Sequence, residues 1–438
     1  MYVVVLPVSS PKNICNNNTF FRFVEYKNLP FPFKYPRSIA LIVLLDVLNS
    51  GVLSNFIGSK DNSRKNRYLG GKYINKIEKN FCKFYNVKHA ISVNSWTSGL
   101  EIAVGALDLE PGDEVIVPTW TMCATVTAIL KWNAIPVFAD IDDKTFCIDT
   151  NKLDHLVSKH TKAMIIVDIF GLPADIIKIK NFAKKYRLKV ISDSAQSPFS
   201  LFKKKLTGTN FDIGGFSLNT HKHIQTGEGG VLVTNNDYLA KKMQMLRNHG
   251  EAVVNKNDKK MMINMIGSNN RMTEITAAIG VAQLNKLKKI TYKIQSLCKI
   301  LDKRLSKLKG LSIPYIPNNY THSYYMYAIK INPILTKVSL NRIFSELQKY
   351  NLDFIEKGYV LVHKLPIFQK KIAYGSKNFP WNINKRKIDY IKCCPVAEDL
   401  HKNKILTIQM PSYDFSEKNI ISVCNIFEKV WKNLKIQK

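Results

Sequence analysis

Six short apolar runs constrain this chain more than any other feature: Ala90-Ile91-Ser92-Val93, Glu114-Val115-Ile116-Val117, Ile135-Pro136-Val137-Phe138, Met164-Ile165-Ile166-Val167, Lys189-Val190-Ile191-Ser192 and Val231-Leu232-Val233. Runs of this length that do not alternate with polar residues read as strands buried on both faces. Helical stretches separate most of them; the one that precedes the first carries Ile74, Ile77, Phe81 and Phe84 at helical spacing. The alternation predicts an α/β fold, with a large domain over residues 37–292 built on a mostly parallel sheet covered by helices on both faces. A long helical pattern from Met272 to Leu308, with Ile275, Ala278, Ile279 and Ala282 on one face, leads into a smaller C-terminal α+β domain at 293–438. There Tyr324 to Ile329 reads as a strand. Ile420, Val423, Cys424, Phe427, Val430 and Trp431 form the apolar stripe of a last helix, with Ser416 as its N-cap. Residues 1–36 mix Pro, Asn and Phe without periodicity and read as an irregular arm.

With 438 residues and 45% apolar content, the chain is long enough to bury a substantial core. Its formal charge of +32 invites a nucleic-acid reading. The lysines, however, are spread over nearly every segment among Asn and Ile, so no nucleic-acid partner is expected; the excess charge suits steering of an anionic small substrate. Eight cysteines show no C-x-x-C pair and no framework spacing, which fits a reducing, cytoplasmic setting. Near the N-terminus the longest apolar run, Ile39 to Leu45, is too short to span a bilayer and reads as a buried amphipathic helix continued by Asp46, so no membrane partner is expected.

In parallel α/β sheets ligands collect at the carboxyl ends of strands, so the polar residues after each apolar run carry the chemistry. Asn94-Ser95-Trp96-Thr97-Ser98-Gly99 is a small-residue turn opening a helix, where N–H groups and hydroxyls can hold a phosphate or cap a structural helix. Pro118-Thr119-Trp120-Thr121-Met122 offers aromatic and soft apolar side chains. Asp193 ends a buried strand, where an ionised carboxylate needs a cation, an N-cap role or a salt bridge. Lys222 lies between His221 and His223, just before a glycine-rich turn, in a stretch too short and polar for a packed helix. Lysine forms imines with carbonyls, and its basicity responds strongly to burial. There is no G-x-x-x-x-G-K-[ST] string, and no acidic or Cys partner stands at ligand spacing from His221 and His223, so neither a P-loop nor a metal is expected. A phosphate cradle, a ring-covering side chain, a buried carboxylate and an imine-forming lysine together suit a phosphorylated pyridine aldehyde.

The order and wording of these motifs resemble the DegT/StrS family of sugar aminotransferases, with the aspartate aminotransferase fold (type I). Asn94 to Ser98, Pro111 to Pro118, Asp193-Ser194-Ala195-Gln196, Lys222 to Gly230, Arg247-Asn248-His249-Gly250 and Asn269 to Glu274 carry the resemblance, with a fainter match at Cys394-Pro395-Val396-Ala397-Glu398. It implies pyridoxal 5'-phosphate as cofactor, Lys222 as the Schiff-base lysine and Asp193 as the partner of the pyridine nitrogen. It places Gln196 beside the cofactor's phenolic oxygen, with Trp96 (through its backbone), Thr97 and Ser217 on the phosphate. Asn269 matches an asparagine donated to that phosphate by a neighbouring subunit, which implies a homodimer with shared active sites. Met122 falls at the ring-stacking position; a strand reading puts Trp120 on the same face, so either covers the ring. The implied reaction is transamination of a nucleotide-linked keto-sugar to an amino sugar, with glutamate or glutamine as donor. A dehydratase branch, in which a histidine replaces the lysine, and a non-catalytic regulatory relative are the alternatives. The stretch 364–389 has no counterpart in the resemblance.

Overall fold

The computed structural model of the protein describes residues 37–56, 69–250, 263–384 and 386–436; the expected arm at 1–36 lies outside them. The expected strands form, and one more joins them. The large sheet contains β1 (His89–Val93), β2 (Glu114–Pro118), β3 (Ile135–Ala139), β4 (Thr161–Val167) and β5 (Lys189–Asp193). After a two-residue hairpin, β6 and β7 (Leu201–Phe202 and Lys205–Leu206), the chain returns to it as β8 (Ile213–Ser217) and β9 (Gly230–Thr234). The spatial order is β1-β9-β8-β5-β4-β2-β3. Pairing from β3 through β8 is parallel, while β9 runs antiparallel to both of its neighbours, β8 and β1.

Strand β8 has the sequence Ile-Gly-Gly-Phe-Ser, which carries no apolar run for a pattern to catch. Its glycines answer to tertiary contact: a Cβ on Gly214 would lie 1.9 Å from the carbonyl oxygen of Gly208. The side chains of β2, β3, β8 and β9 are all buried, as a sheet covered on both faces requires. Helix Lys72–Tyr85 buries Ile74, Ile77 and Phe81. Its first turn is held by Glu274, which accepts from the backbone N–H groups of Gly71 (2.9 Å) and Tyr73 (2.6 Å). Arg247 pairs with Glu78 at 2.6 Å with no exposed side-chain surface, so the Arg247 to Gly250 motif begins with a structural ion pair.

The long helical pattern breaks into helices Glu274–Leu284 and Leu287–Leu305. Ala278 and Ala282 are buried as expected, while Ile275 and Ile279 are only partly so. The second helix runs through the boundary expected at 292/293. Beyond it lies an antiparallel sheet in the order β10 (Leu311–Ser312), β11 (Met326–Ile331), β13 (Ile405–Gln409), β12 (Ile355–Lys357). Helix Glu417–Asn433 buries the expected stripe, and Ser416 caps it in a reciprocal box with Asn419.

Two segments differ from expectation. Ile39 to Leu45 lies in helix Arg37–Ser50, but Leu41 (53% exposed), Ile42 (65%), Leu45 and Leu48 face outward, and Val47 alone among the described side chains of this helix is buried. The apolar face is genuine, and among the described residues none covers it. The described residues of the stretch 364–389, with Tyr390 just beyond it, fold against edge strand β3 and its neighbour. Phe368 and Tyr390 pack edge-on to Phe138 at 5.1 and 5.2 Å, Tyr390 donates to the carbonyl of Pro136 (2.6 Å), and Arg386 pairs with Glu114 (2.7 Å). None of the described helices is long and apolar enough to cross a membrane.

Candidate active site

Because β1, β2, β4, β5 and β8 run in one direction, their carboxyl ends share one edge of the sheet, and the polar residues singled out above gather there. Asp193, the last residue of β5, is 4% exposed. Its Oδ1 accepts from Trp96 Nε1 (2.8 Å) and from the backbone N–H of Ala195 (3.2 Å); its Oδ2 accepts from Thr125 Oγ1 (2.8 Å). Burial pushes the carboxyl pKa up, against the hydrogen bonds from Thr125 and Trp96 and the charge of Lys222. The structure therefore brings the expected acid and lysine into one electrostatic field.

Lys222 stands in the turn after β8, where its backbone N–H bonds the carbonyl of Asn219 (3.0 Å). The side chain retains some contact with solvent, while the ammonium sits 4.2 Å from the centroid of the Tyr325 ring. Loss of hydration lowers its pKa from 10.5 to about 8, and the charge of Asp193 opposes that shift. Such an amine is largely neutral only slightly above physiological pH, as a nucleophile or a base must be. His223 lies buried, its Nε2 2.8 Å from the carbonyl oxygen of Ser323, and burial drives His221 down to about 4. The charges of Lys222 and Asp193 act on each other.

Gln196 is clamped at both ends of its amide. Its Oε1 accepts from Phe170 N (2.7 Å), and its Nε2 donates to Tyr359 Oη (2.9 Å). Phe170 holds the left-handed region (φ 58°) inside a cluster of Phe146, Trp120 and Tyr359 rings. The expected cradle lies at the start of helix Trp96–Gly105, capped by Ser95, whose Oγ accepts from Ser98 N (3.1 Å). Thr97 is exposed on its first turn, and Ser217, 8% exposed, ends β8 with its Oγ accepting from Asn219 N (3.3 Å).

The strand reading of Trp120 and Met122 does not hold. Residues 119–122 form a turn, in which Trp120 sinks completely into the core while Met122, 57% exposed, caps helix Cys123–Lys131 with its sulfur accepting from Ala124 N (3.1 Å). Of the two, only Met122 presents its side chain to the surface. Asn269 is exposed, its Oδ1 accepting from Arg271 Nε (2.8 Å). Pattern reading missed Thr125, Tyr325, Tyr359 and the indole of Trp96 as site residues. Tyr325 was legible only as part of a strand, and the others reach the site through helix position and long-range packing.

His363, Cys393 and Cys394 bring possible metal-ligand atoms within 4.8 Å of one another among the described residues. The His363 nitrogens are already engaged, Nδ1 with Thr119 Oγ1 (2.5 Å) and Nε2 with Glu398 Oε1 (3.1 Å).

A buried carboxylate facing an amine of lowered basicity, beside a capped helix N-terminus and two hydroxyl side chains, fits the ring nitrogen, aldehyde and phosphate of pyridoxal phosphate. On this sheet, with the antiparallel β9 between β1 and β8, it defines a pyridoxal-phosphate-dependent aminotransferase of fold type I. An aminotransferase from Psychrobacter cryohalolentis superposes with a TM-score of 0.76 at 25% identity, covering 93% of this chain and all of that one. NtdA from Bacillus subtilis, solved with bound cofactor PMP, superposes with a TM-score of 0.70 at 26% identity over 90% of this chain and 82% of that one. The chain belongs to the DegT/DnrJ/EryC1/StrS aminotransferase family, whose model matches residues 59–408. Among its relatives, the GDP-perosamine synthase of Escherichia coli O157:H7 is 32% identical over 83% of this chain and 91% of its own length. The GDP-perosamine synthase of Caulobacter vibrioides is 35% identical over 65% and 75%.

Proposed function

We propose that this aminotransferase converts a nucleotide-linked keto-sugar to an amino sugar, with glutamate or glutamine as amino donor. The observation that carries the catalytic part of the reading is the amine of Lys222 in the field of the buried Asp193. The substrate class is supported by the GDP-perosamine synthases among the relatives and by the chain's charge of +32, which favours an anionic substrate.

Bound pyridoxal phosphate supplies an aldehyde that carries the amino group and a ring that takes up electrons when a proton leaves the neighbouring carbon. Lys222 would hold the cofactor through its amine; once displaced by a substrate, that amine would carry the proton between the substrate carbon and the former aldehyde carbon on the far side of the nitrogen. Asp193 keeps a proton on the ring nitrogen. Gln196, fixed by Phe170 and Tyr359, lies beside the phenolic oxygen, and Met122 covers a ring face. Trp96 N, Thr97 and Ser217 bind the phosphate. The outward apolar face of helix Arg37–Ser50 supports a homodimer, in which Asn269 reaches the partner's phosphate. The seven described cysteines are all free, which suits a cytoplasmic enzyme.

Lysine rather than histidine at position 222 favours transamination over dehydration. The test is to incubate the purified enzyme with glutamate or glutamine and a panel of nucleotide-linked keto-sugars. Release of the oxo-acid together with an aminated sugar nucleotide is expected, and loss of both with the near-visible cofactor band in Lys222→Ala. Oxo-acid release that is unaffected in Lys222→Ala overturns the assignment.

A further inference from the structure

We propose that the indole of Trp96 is a positioning residue for Asp193, so that one residue couples the phosphate cradle to the acid at the opposite end of the cofactor site. This deepens the role proposed for Asp193 and rests on it. Trp96 is the first residue of helix Trp96–Gly105, where its backbone belongs to the cradle, yet its side chain turns inward and is 5% exposed. Its Nε1 donates to Asp193 Oδ1 at 2.8 Å.

The slot for the ring is built by its own helix together with β8. Gly215, on β8, pairs with Asp193 across the sheet, and a Cβ there would stand 2.1 Å from the indole ring. A Cβ on Gly99, one turn along the helix, would stand 2.6 Å from it, and one on Gly230 would stand 2.8 Å from the Trp96 backbone N and Cα. Two glycines thus admit the ring and a third admits the backbone that carries it, and this one large side chain ends on one carboxylate oxygen.

The chemistry of the donor matters as much as its place. An indole N–H only donates, so Oδ1 must remain an acceptor; Thr125 on Oδ2 has a hydroxyl that turns either way. A proton on Asp193 is therefore confined to Oδ2. Trp96 holds the acid ionised and fixes its plane from one side, which keeps the shared proton on the ring nitrogen.

The experiment uses holoenzyme loaded with 15N-labelled pyridoxal phosphate, reading the ring-nitrogen signal by NMR alongside kcat and KM. In the wild type the signal should lie at the protonated position, and Asp193→Asn should move it to the unprotonated one. Trp96→Phe, which keeps a ring in the slot, should move it part of the way and lower kcat roughly tenfold, with KM changed by no more than about twofold. Gly215→Ala leaves Trp96 in the sequence but fills its slot, and should shift the signal in the same direction; it carries the test if Trp96→Phe does not fold. Wild-type signals in Trp96→Phe and Gly215→Ala, with a shift in Asp193→Asn, would reduce Trp96 to a space-filler and overturn the proposal. An unshifted signal in Asp193→Asn would instead bring down the role of Asp193 itself, and the proposal with it.

Discussion

At Lys222 the cost of dehydrating an ammonium outweighs the attraction of Asp193, and the pKa falls from 10.5 to about 8. Between those two values the unfolded chain binds a proton that the folded, cofactor-free protein does not, so this residue makes stability rise with pH from about 8 to 10.5. Below about 8 the amine is protonated in both states, and the slope vanishes. Thermal melts of cofactor-free protein across that window should show the rise, and Lys222→Met should flatten it. The rate at which the cofactor-free protein captures pyridoxal phosphate should likewise climb with a midpoint near pH 8; a midpoint near 10.5 would show the amine to be fully hydrated. A second prediction concerns Gln196. Tyr359→Phe removes the acceptor of its Nε2 and should lower kcat/KM roughly fivefold through one lost neutral hydrogen bond, measured by steady-state kinetics.

Among the elements, the C-terminal helix Glu417–Asn433 and the returning stretch 364–389 illustrate opposite cases. Ser416 and Asn419 satisfy each other's backbone N–H groups within four residues, a signal entirely local and readable from sequence. Ser416→Ala should cost about 1 kcal/mol, checked by denaturant unfolding. Tyr390 is held instead by Trp381 Nε1 (2.8 Å) and the carbonyl of Pro136 (2.6 Å), the latter 254 residues away in sequence. Tyr390→Phe strands both buried groups and should destabilise the fold by roughly 1–3 kcal/mol in the same measurement. Strand β8 belongs with the second case, because its glycines are selected by the Gly208 carbonyl and the Trp96 ring rather than by strand propensity.

For the whole molecule, the decisive surface is the outward face of helix Arg37–Ser50, where Leu41, Ile42, Leu45 and Leu48 are all about half exposed or more. Covering such a face by a second copy predicts a dimer in sedimentation, and Ile42→Lys combined with Leu45→Glu should yield monomers with little activity. If Asn269 serves the partner's site, Lys222→Ala and Asn269→Ala proteins, each weak alone, should recover activity on mixing, because each mixed dimer then holds one intact site. Absence of recovery in verified mixed dimers would place each site within a single chain.

Buried strands, capped helices and motif strings are written in neighbouring residues, and these local patterns by themselves determined the α/β layering and singled out Lys222, Asp193 and the turn that opens helix Trp96–Gly105. Which of two neighbouring side chains stays exposed was decided only by tertiary packing. Trp120 and Met122 are two residues apart, yet one fills the core and the other the surface, because the chain turns where a strand would have kept them on one face. The hydrogen bonds from Trp96 and Thr125 to Asp193 span 97 and 68 residues, and Tyr359 meets Gln196 across 163. No local periodicity encodes contacts of that reach; they exist because parallel strands bring their carboxyl ends to a single edge.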